Sequence, residues 1–385
     1  MSDDSGQEYF SDGLTEDIIT VLSRLRWLFV IARNSTFQFK DSARDIRQIG
    51  KDLDVRYVLE GGVRKAGSRV RISAQLIDTS NGRHIWAENY DRELDDVFAL
   101  QDEVARQISA CLAPEIERAE WRGLGDIRRP SLSNWQLHLR GLAHMHEYNR
   151  EGNIEAKKYF QQVIELEPEF AGAHAGLAYV IYHDINNGDV ESREESLHEA
   201  ERYAQHAITL DDQDAFGNCV LGRLNSIQAK FEDAITEQRI AIRLNPSFAL
   251  AYHGLGYALL FGGATEESIP YFETAEKLSP HDHNVWAFLS IRAIAHSQLG
   301  NHDVAVSLAR EGVRKPHAKF WAWVNLLSVL GHTERSGEIE ECLRALLRQK
   351  PDITVGFVKK NMDYYQDQEK FDYFLDGLCH AGLSE

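Results

Sequence analysis

A period of 34 residues constrains this chain more than any other feature. Leu221, Leu255 and Leu289 follow one another at that interval, as do Tyr252 and Trp286, Gly222 and Gly256, Ala241 and Ala275, and Pro246 and Pro280. Five kinds of anchor in one register are not coincidence, and a repeat of this length makes a small structural unit that buries its core only by stacking on its copies. Each anchor has a packing reason. The small residue after Leu lets the first helix of a unit approach the second, Ala does the same between units, and Pro stops the second helix. An all-α solenoid of helix pairs is therefore predicted.

Counting outward from that register gives six units. Leu177 to Leu221 spans 44 residues, and the ten extra ones are predicted to form a long inter-helix loop over 184–193. An earlier unit ends at Pro168, with Ala156 and Phe160 in its second helix. After Pro280 the register is expected to loosen, with units ending near Pro316 and Pro351, and a last helix over 367–381 is expected to cap the open end. The unit resembles the tetratricopeptide repeat.

Before Gly123 the periodicity is different. Asp12 or Thr15 can cap a helix carrying Leu14, Ile18, Val21, Leu22 and Leu25 at steps of three and four. An apolar run at 28–31 reads as a strand, a second helix follows over 43–53 with Ile46, Ile49 and Leu53 on one face, and Tyr57 opens another strand. That alternation favours parallel pairing. From Val70 the period becomes two: Val70, Ile72, Ala74 and Leu76 alternate with Arg71, Ser73 and Gln75, and a further run follows at 84–90. Residues 65–68 and 79–82 read as hairpin loops, the second with an Asn-Gly pair suited to positive φ. A third helix is predicted over 97–121. The chain is thus expected to divide into a small α/β domain over 1–122 and the solenoid over 131–385.

Charge and composition narrow the function. Sixty acidic against 42 basic side chains leave a net charge of −18, which opposes direct binding of nucleic acid. The longest apolar runs fall far short of the ~20 residues needed to cross a bilayer, and the first residues lack the pattern of a secretory signal. No membrane contact and a cytoplasmic location are expected. Cys111, Cys219, Cys342 and Cys379 show no paired spacing and read as buried reduced thiols.

Four strings carry a second resemblance: Glu8-Tyr9-Phe10-Ser11-Asp12-Gly13-Leu14, Val30-Ile31-Ala32-Arg33-Asn34-Ser35, Tyr57-Val58-Leu59-Glu60-Gly61-Gly62-Val63-Arg64 and Ile85-Trp86-Ala87-Glu88-Asn89-Tyr90. They resemble the TolB-like N-terminal domain that precedes tetratricopeptide repeats in bacterial signalling proteins. The end of the chain, from Gly377-Leu378 to Ala381-Gly382-Leu383, resembles the end of the same proteins. That resemblance implies a class III adenylate or guanylate cyclase domain, or less often a winged-helix DNA-binding domain, on the N-terminal side. It also implies a strand just before Met1, so the α/β domain is expected to begin without its first strand.

The chain offers little chemistry. No carboxylate pair suits the two metal ions of a cyclase, and the glycines at 61–67 precede a strand where a phosphate loop would precede a helix. The basic cluster Arg64, Lys65, Arg69 and Arg71 reads as a solvated hairpin edge. His281 with His283, and His144 with His146, are spaced wrongly for a shared metal on a helix. No catalytic residue, metal or cofactor is expected, and the chain reads as a non-enzymatic interaction or regulatory module. What remains is the solenoid's concave face, with Phe216, Cys219, Arg223, His253, Tyr257 and Asn284 at positions not used for packing. Phe216, Arg223, His253, Tyr257 and Asn284 are the candidate groove for a protein or peptide partner.

Overall fold

The computed structural model describes residues 5–22, 28, 30–31, 36, 39, 45–66, 69–93, 100, 103–105, 107–108, 111–112, 116, 134–279, 282, 284–333 and 336–385. The chain divides into two compact units, Met1–Gly125 with Asn245–Ser247, and Asp126–Leu244 with Phe248–Glu385.

The first unit contains helices α1 (Ser5–Leu22) and α2 (Ile46–Leu53) and strands β1 (Tyr57–Ala66), β2 (Arg69–Asp78) and β3 (Arg83–Glu93). Helix α1 starts well before the expected caps: Thr15 Oγ1 donates to the Ser11 carbonyl at 2.8 Å from inside the helix. Leu14, Ile18 and Leu22 form its buried stripe. Asp45 caps α2 by accepting the Arg47 amide at 2.9 Å. The strands are antiparallel in the order β1-β2-β3. Along β2 the predicted alternation holds, with Val70, Ile72, Ala74 and Leu76 buried and Arg71 and Ser73 exposed. The loop after it closes with Gly82 at φ 73°, so the glycine of the Asn-Gly pair takes the left-handed conformation. The described residues of the third predicted helix are helical, and Leu100, Val104, Ile108, Leu112 and Ile116 join α1 and β2 in one core.

Two expectations for this unit fail. Leu28 lies in a bend and Val30 and Ile31 are not in a strand, while Phe29 lies outside the described residues. Leu28 and Val30 instead pack against the core as partly buried side chains; a short apolar run marks burial without specifying a ladder. The parallel pairing expected between 28–31 and the strand opened by Tyr57 therefore finds no strand at 28, 30 or 31, whereas β1–β2 and β2–β3 pair antiparallel, as the two predicted hairpin loops imply.

The second unit is built from helix pairs: α3 (Asn134–Met145) with α4 (Arg150–Leu166), α5 (Ala171–Asn187) with α6 (Arg193–Leu210), α7 (Ala215–Ser226) with α8 (Phe231–Leu244), α9 (Ala249–Phe261) with α10 (Thr265–Leu278), α11 (Val285–Gln298) with α12 (His302–Arg314), and α13 (Phe320–Gly331) with α14 (Ser336–Gln349). The anchors do what the spacing implies. A β-carbon on Gly256 would sit 2.8 Å from the Phe272 ring, and one on Gly222 would sit 2.6 Å from Gln238 Nε2, so first and second helices touch there. Ala241 and Ala275 are fully buried.

Two further expectations change. The ten extra residues lengthen α5 to 17 residues and α6 to 18, leaving a short turn where a long loop was predicted. Asp184 explains it: buried inside α5, it accepts from Asn153 Nδ2 at 2.5 Å and pairs with Lys157. Nor does the register loosen where expected, since Ala309 lies 34 residues after Ala275 and is fully buried.

After α14 the chain adds a short helix α15 (Val355–Asn361) and the final helix α16 (Gln368–His380). Expected at the open end of the stack, α16 lies instead against the first helices α13 and α11 and against α15. The segment leading into it and its first turn are tied to the connection between α9 and α10. The Gln366 amide donates to the Phe261 carbonyl at 3.0 Å, and Lys370 Nζ donates to Gly263 O at 2.7 Å and Thr265 Oγ1 at 2.8 Å.

Candidate functional site

The first helices of the repeats converge on a cavity of about 110 Å³. Four of the five sequence-predicted groove residues, Arg223, His253, Tyr257 and Asn284, line it. The fifth, Phe216, stands beside it, with its ring edge-on to Tyr179 at 5.5 Å. Cys219 is buried in the packing behind. The groove is more enclosed than an open concave face: Arg223, His253 and Asn284 are each exposed by 6% or less, and Tyr257 hydroxyl bonds to the hydroxyl of Tyr364 from the C-terminal segment.

The repeat register itself could have found more of the lining. Two residues after each Leu anchor come Tyr179, Arg223, Tyr257 and Ile291, and 34 residues after Ile291 comes Asn325; all five face the cavity. Two residues before the anchor, His253, Ala287 and Trp321 form a second series at the same interval. Tyr148, Trp286, Lys319 and Tyr364 follow neither series, and only the folded chain brings them in.

The electrostatics centre on Arg223. Its guanidinium keeps a positive charge at any physiological pH. One terminal nitrogen, Nη2, donates to the Leu250 carbonyl at 3.1 Å and to His253 Nδ1 at 2.9 Å, and the group lies 5.9 Å from the Tyr182 ring centroid. Burial, then the charge of Arg223, holds His253 well below the usual histidine range, so its ring is neutral and can accept that bond. Burial, again with Arg223 second, pushes His183 down to about 3. Burial raises the phenols of Tyr148, Tyr179 and Tyr257, so they remain neutral. Asn284 Nδ2 donates toward Tyr179 hydroxyl at 3.5 Å.

The remaining sequence candidates fall elsewhere. Arg71 makes a two-pronged exposed pair with Asp91 at 2.6 and 2.8 Å, and Arg64 and Arg69 are exposed on the hairpin. His144 stacks on Tyr159 and bonds to Glu147; His281 and His283 lie outside the described residues. Cys219 and Cys342 are buried, Cys111 is partly buried, and Cys379 is exposed against expectation. It sits in the last turn of α16. Among the described residues no group of His, Cys, Asp or Glu side chains is arranged to hold a metal ion, and no helix is long and apolar enough to cross a membrane.

With this geometry in place, comparison with known proteins separates the two units. Residues 4–107 match the second domain of HilA/YgeH-like transcriptional regulators, and residues 222–283 match the tetratricopeptide repeat. The solenoid is a tetratricopeptide-repeat fold. Over 239 residues, 61% of its length, the chain is 42% identical to a putative adenylate cyclase 3 of Rhizobium meliloti. It is 20% identical over 241 residues to the transcriptional regulator HilA of Salmonella typhimurium. The matched stretch is about two fifths of each relative's length, 40% and 42%. Among solved structures, the Cut9–Hcn1 hetero-tetramer of the APC/C superposes with a TM-score of 0.50 at 16% identity, covering 71% of this chain and 49% of that one. A tetratricopeptide-repeat protein of Thermus thermophilus matches with a TM-score of 0.42 at 15% identity over 51% of this chain and 99% of that one.

Proposed function

We propose that this chain is the non-catalytic regulatory module of a bacterial, cytoplasmic signalling protein, whose repeat groove engages a protein or peptide partner. The observation that carries this reading is the 42% identity, over 239 residues, to a protein named as an adenylate cyclase. The first unit is read as the TolB-like domain that the sequence resembles. Phe216, Arg223, His253, Tyr257 and Asn284 are the proposed contact surface. Four of them share one cavity, and a cavity of about 110 Å³ accepts a single side chain or small group. A partner would therefore insert one group there and leave the rest of its contacts to the rim.

The HilA match favours a second reading, in which the same two units regulate a DNA-binding domain. The two readings share the non-catalytic role of this chain and differ in the domain it serves.

The test has two parts. The purified chain should make no cyclic nucleotide from ATP or GTP with magnesium or manganese, and adding it to a class III cyclase domain should change that domain's rate. Cyclic-nucleotide synthesis by the chain itself, proportional to its concentration and surviving repurification, would overturn the reading. A cyclase rate that never responds to the chain would favour the DNA-binding alternative.

A further inference from the structure

The cavity presents buried hydrogen-bond donors and positive charge with no carboxylate opposite them among the described residues. Arg223, Asn284 and Trp286 all line it and are exposed by 6, 5 and 8%. Arg223 Nε and Trp286 Nε1 are buried with no acceptor among the described residues. A second cation, Lys319, lines the cavity and is only partly buried. Among the described residues no carboxylate lines it, although the chain carries 60 of them. Asp282, whose charge reaches Tyr148, is outside the lining and accepts from the Asn284 backbone N–H at 2.7 Å. Neutral His253 spends its Nδ1 on Arg223 without offsetting the charge.

A buried cation without a counter-ion is costly, because the desolvation of the charge is not returned by a partner. A protein that keeps such a group beside a cavity gains that return when an anion enters. Guanidinium and indole N–H groups are also the donors that suit a planar carboxylate. The remaining walls combine aromatic side chains, Tyr182, Phe288 and Tyr364 among them, with neutral polar ones such as Asn186, Ser290 and Asn325. A doubly charged phosphate would face these walls with Arg223 as its only fully buried cation.

We propose that this cavity binds a small organic acid, its carboxylate on Arg223 and Trp286 and an apolar body of about one ring against the aromatic wall. The proposal uses the groove of the preceding reading and gives its chemistry. A free metabolite-sized acid and the C-terminal carboxylate of a peptide share that chemistry; the enclosure of the cavity favours the free acid.

The experiment is thermal unfolding and Trp fluorescence of the full chain at pH 7. The probes are acetate, isovalerate, benzoate and phenylacetate, with benzamide and phenylacetamide as neutral counterparts, inorganic phosphate, and a short peptide with a free or amidated C-terminus. At least one acid should raise the melting temperature saturably, by about 2–4 °C for a tenfold excess over its dissociation constant. Its amide should do nothing at the same concentration. Arg223→Met should weaken binding at least about tenfold. Trp286→Phe, which keeps the ring and loses one donor, should weaken it less and serves if Arg223→Met fails to fold. The proposal is overturned if every acid fails up to about 50 mM, if amides bind as well as acids, or if both variants bind as the wild type does. It is also overturned if phosphate alone binds, or only the free-ended peptide. None of these outcomes bears on the cyclase titration, so failure here and failure of the regulatory reading are separable.

Discussion

Gly331 in α13 and Gly377 in α16 meet backbone to backbone. A β-carbon on Gly331 would run into the Gly377 carbonyl, and one on Gly377 into the Ser328 carbonyl. The crossing is fixed on both sides: Ser328 Oγ donates to the Phe374 carbonyl at 2.7 Å, and His332 stacks on Tyr373 with centroids 3.7 Å apart. Gly331→Ala and Gly377→Ala should each separate the two helices and cost about 1–3 kcal/mol of stability through overpacking. Urea unfolding checks this. Wild-type midpoints for both variants would mean that α16 does not rest on α13.

The repeat register makes a second prediction of the same kind elsewhere. Gly222→Leu, where first and second helices touch, and Ala275→Leu, at a fully buried position read as a contact between units, should destabilise by roughly 1–3 kcal/mol. Thermal melts decide it, because exposed positions would change stability hardly at all.

Acid should weaken the solenoid. Burial pushes His138 down to about 3, and burial with the charge of Arg223 does the same to His183. In the unfolded chain each binds a proton near the ordinary value of about 6.5. Below that pH the unfolded state holds more protons, so stability present above about 6.5 is lost as pH falls toward about 3. The slope is about 1.4 kcal/mol per pH unit for each such histidine. Unfolding free energies at pH 7, 6 and 5 measure it. His138→Gln should make the decline shallower by close to one proton, and an unchanged slope would contradict the neutral buried ring.

Thiol reactivity should sort the cysteines. Cys379 is exposed, while burial pushes Cys219 up to about 11 and Cys342 up to about 12. A disulfide reagent should show a fast phase that Cys379→Ser removes, with Cys219 and Cys342 reacting only on unfolding. A fast phase that survives Cys379→Ser would place a reactive thiol elsewhere.

Much of this was legible in the sequence for a physical reason: a stacked repeat must place the same residue type at the same contact in every unit. Leu255, Gly256 and Ala275 therefore announce their neighbours, and β2 announces its buried face through the alternation at Val70, Ile72, Ala74 and Leu76. The same regularity brings Arg223, His253, Tyr257 and Asn284 to one cavity. What sequence reasoning missed depends on contacts without a local signature. An apolar run at 28–31 looks the same as a strand or as a packed turn, and the ten residues before Arg193 look the same as a loop or as two longer helices. The enclosure of the groove rests on Tyr364, 107 residues from Tyr257, which no periodicity announces.

Trp321 Nε1 in α13 donates to the Asn186 carbonyl in α5 at 3.1 Å, across 135 residues. An open repeat array is a line of neighbours, each feeling only the next, so its ends can fray while the middle stays folded. The bond from the sixth pair to the second, together with the return of the C-terminal segment to α9 and α10, turns that line into a loop. Loosening one pair then loosens those at the far end. Hydrogen exchange should accordingly show α5, α9 and α13 opening together, with one shared free energy, where a linear array would give a gradient from the ends inward.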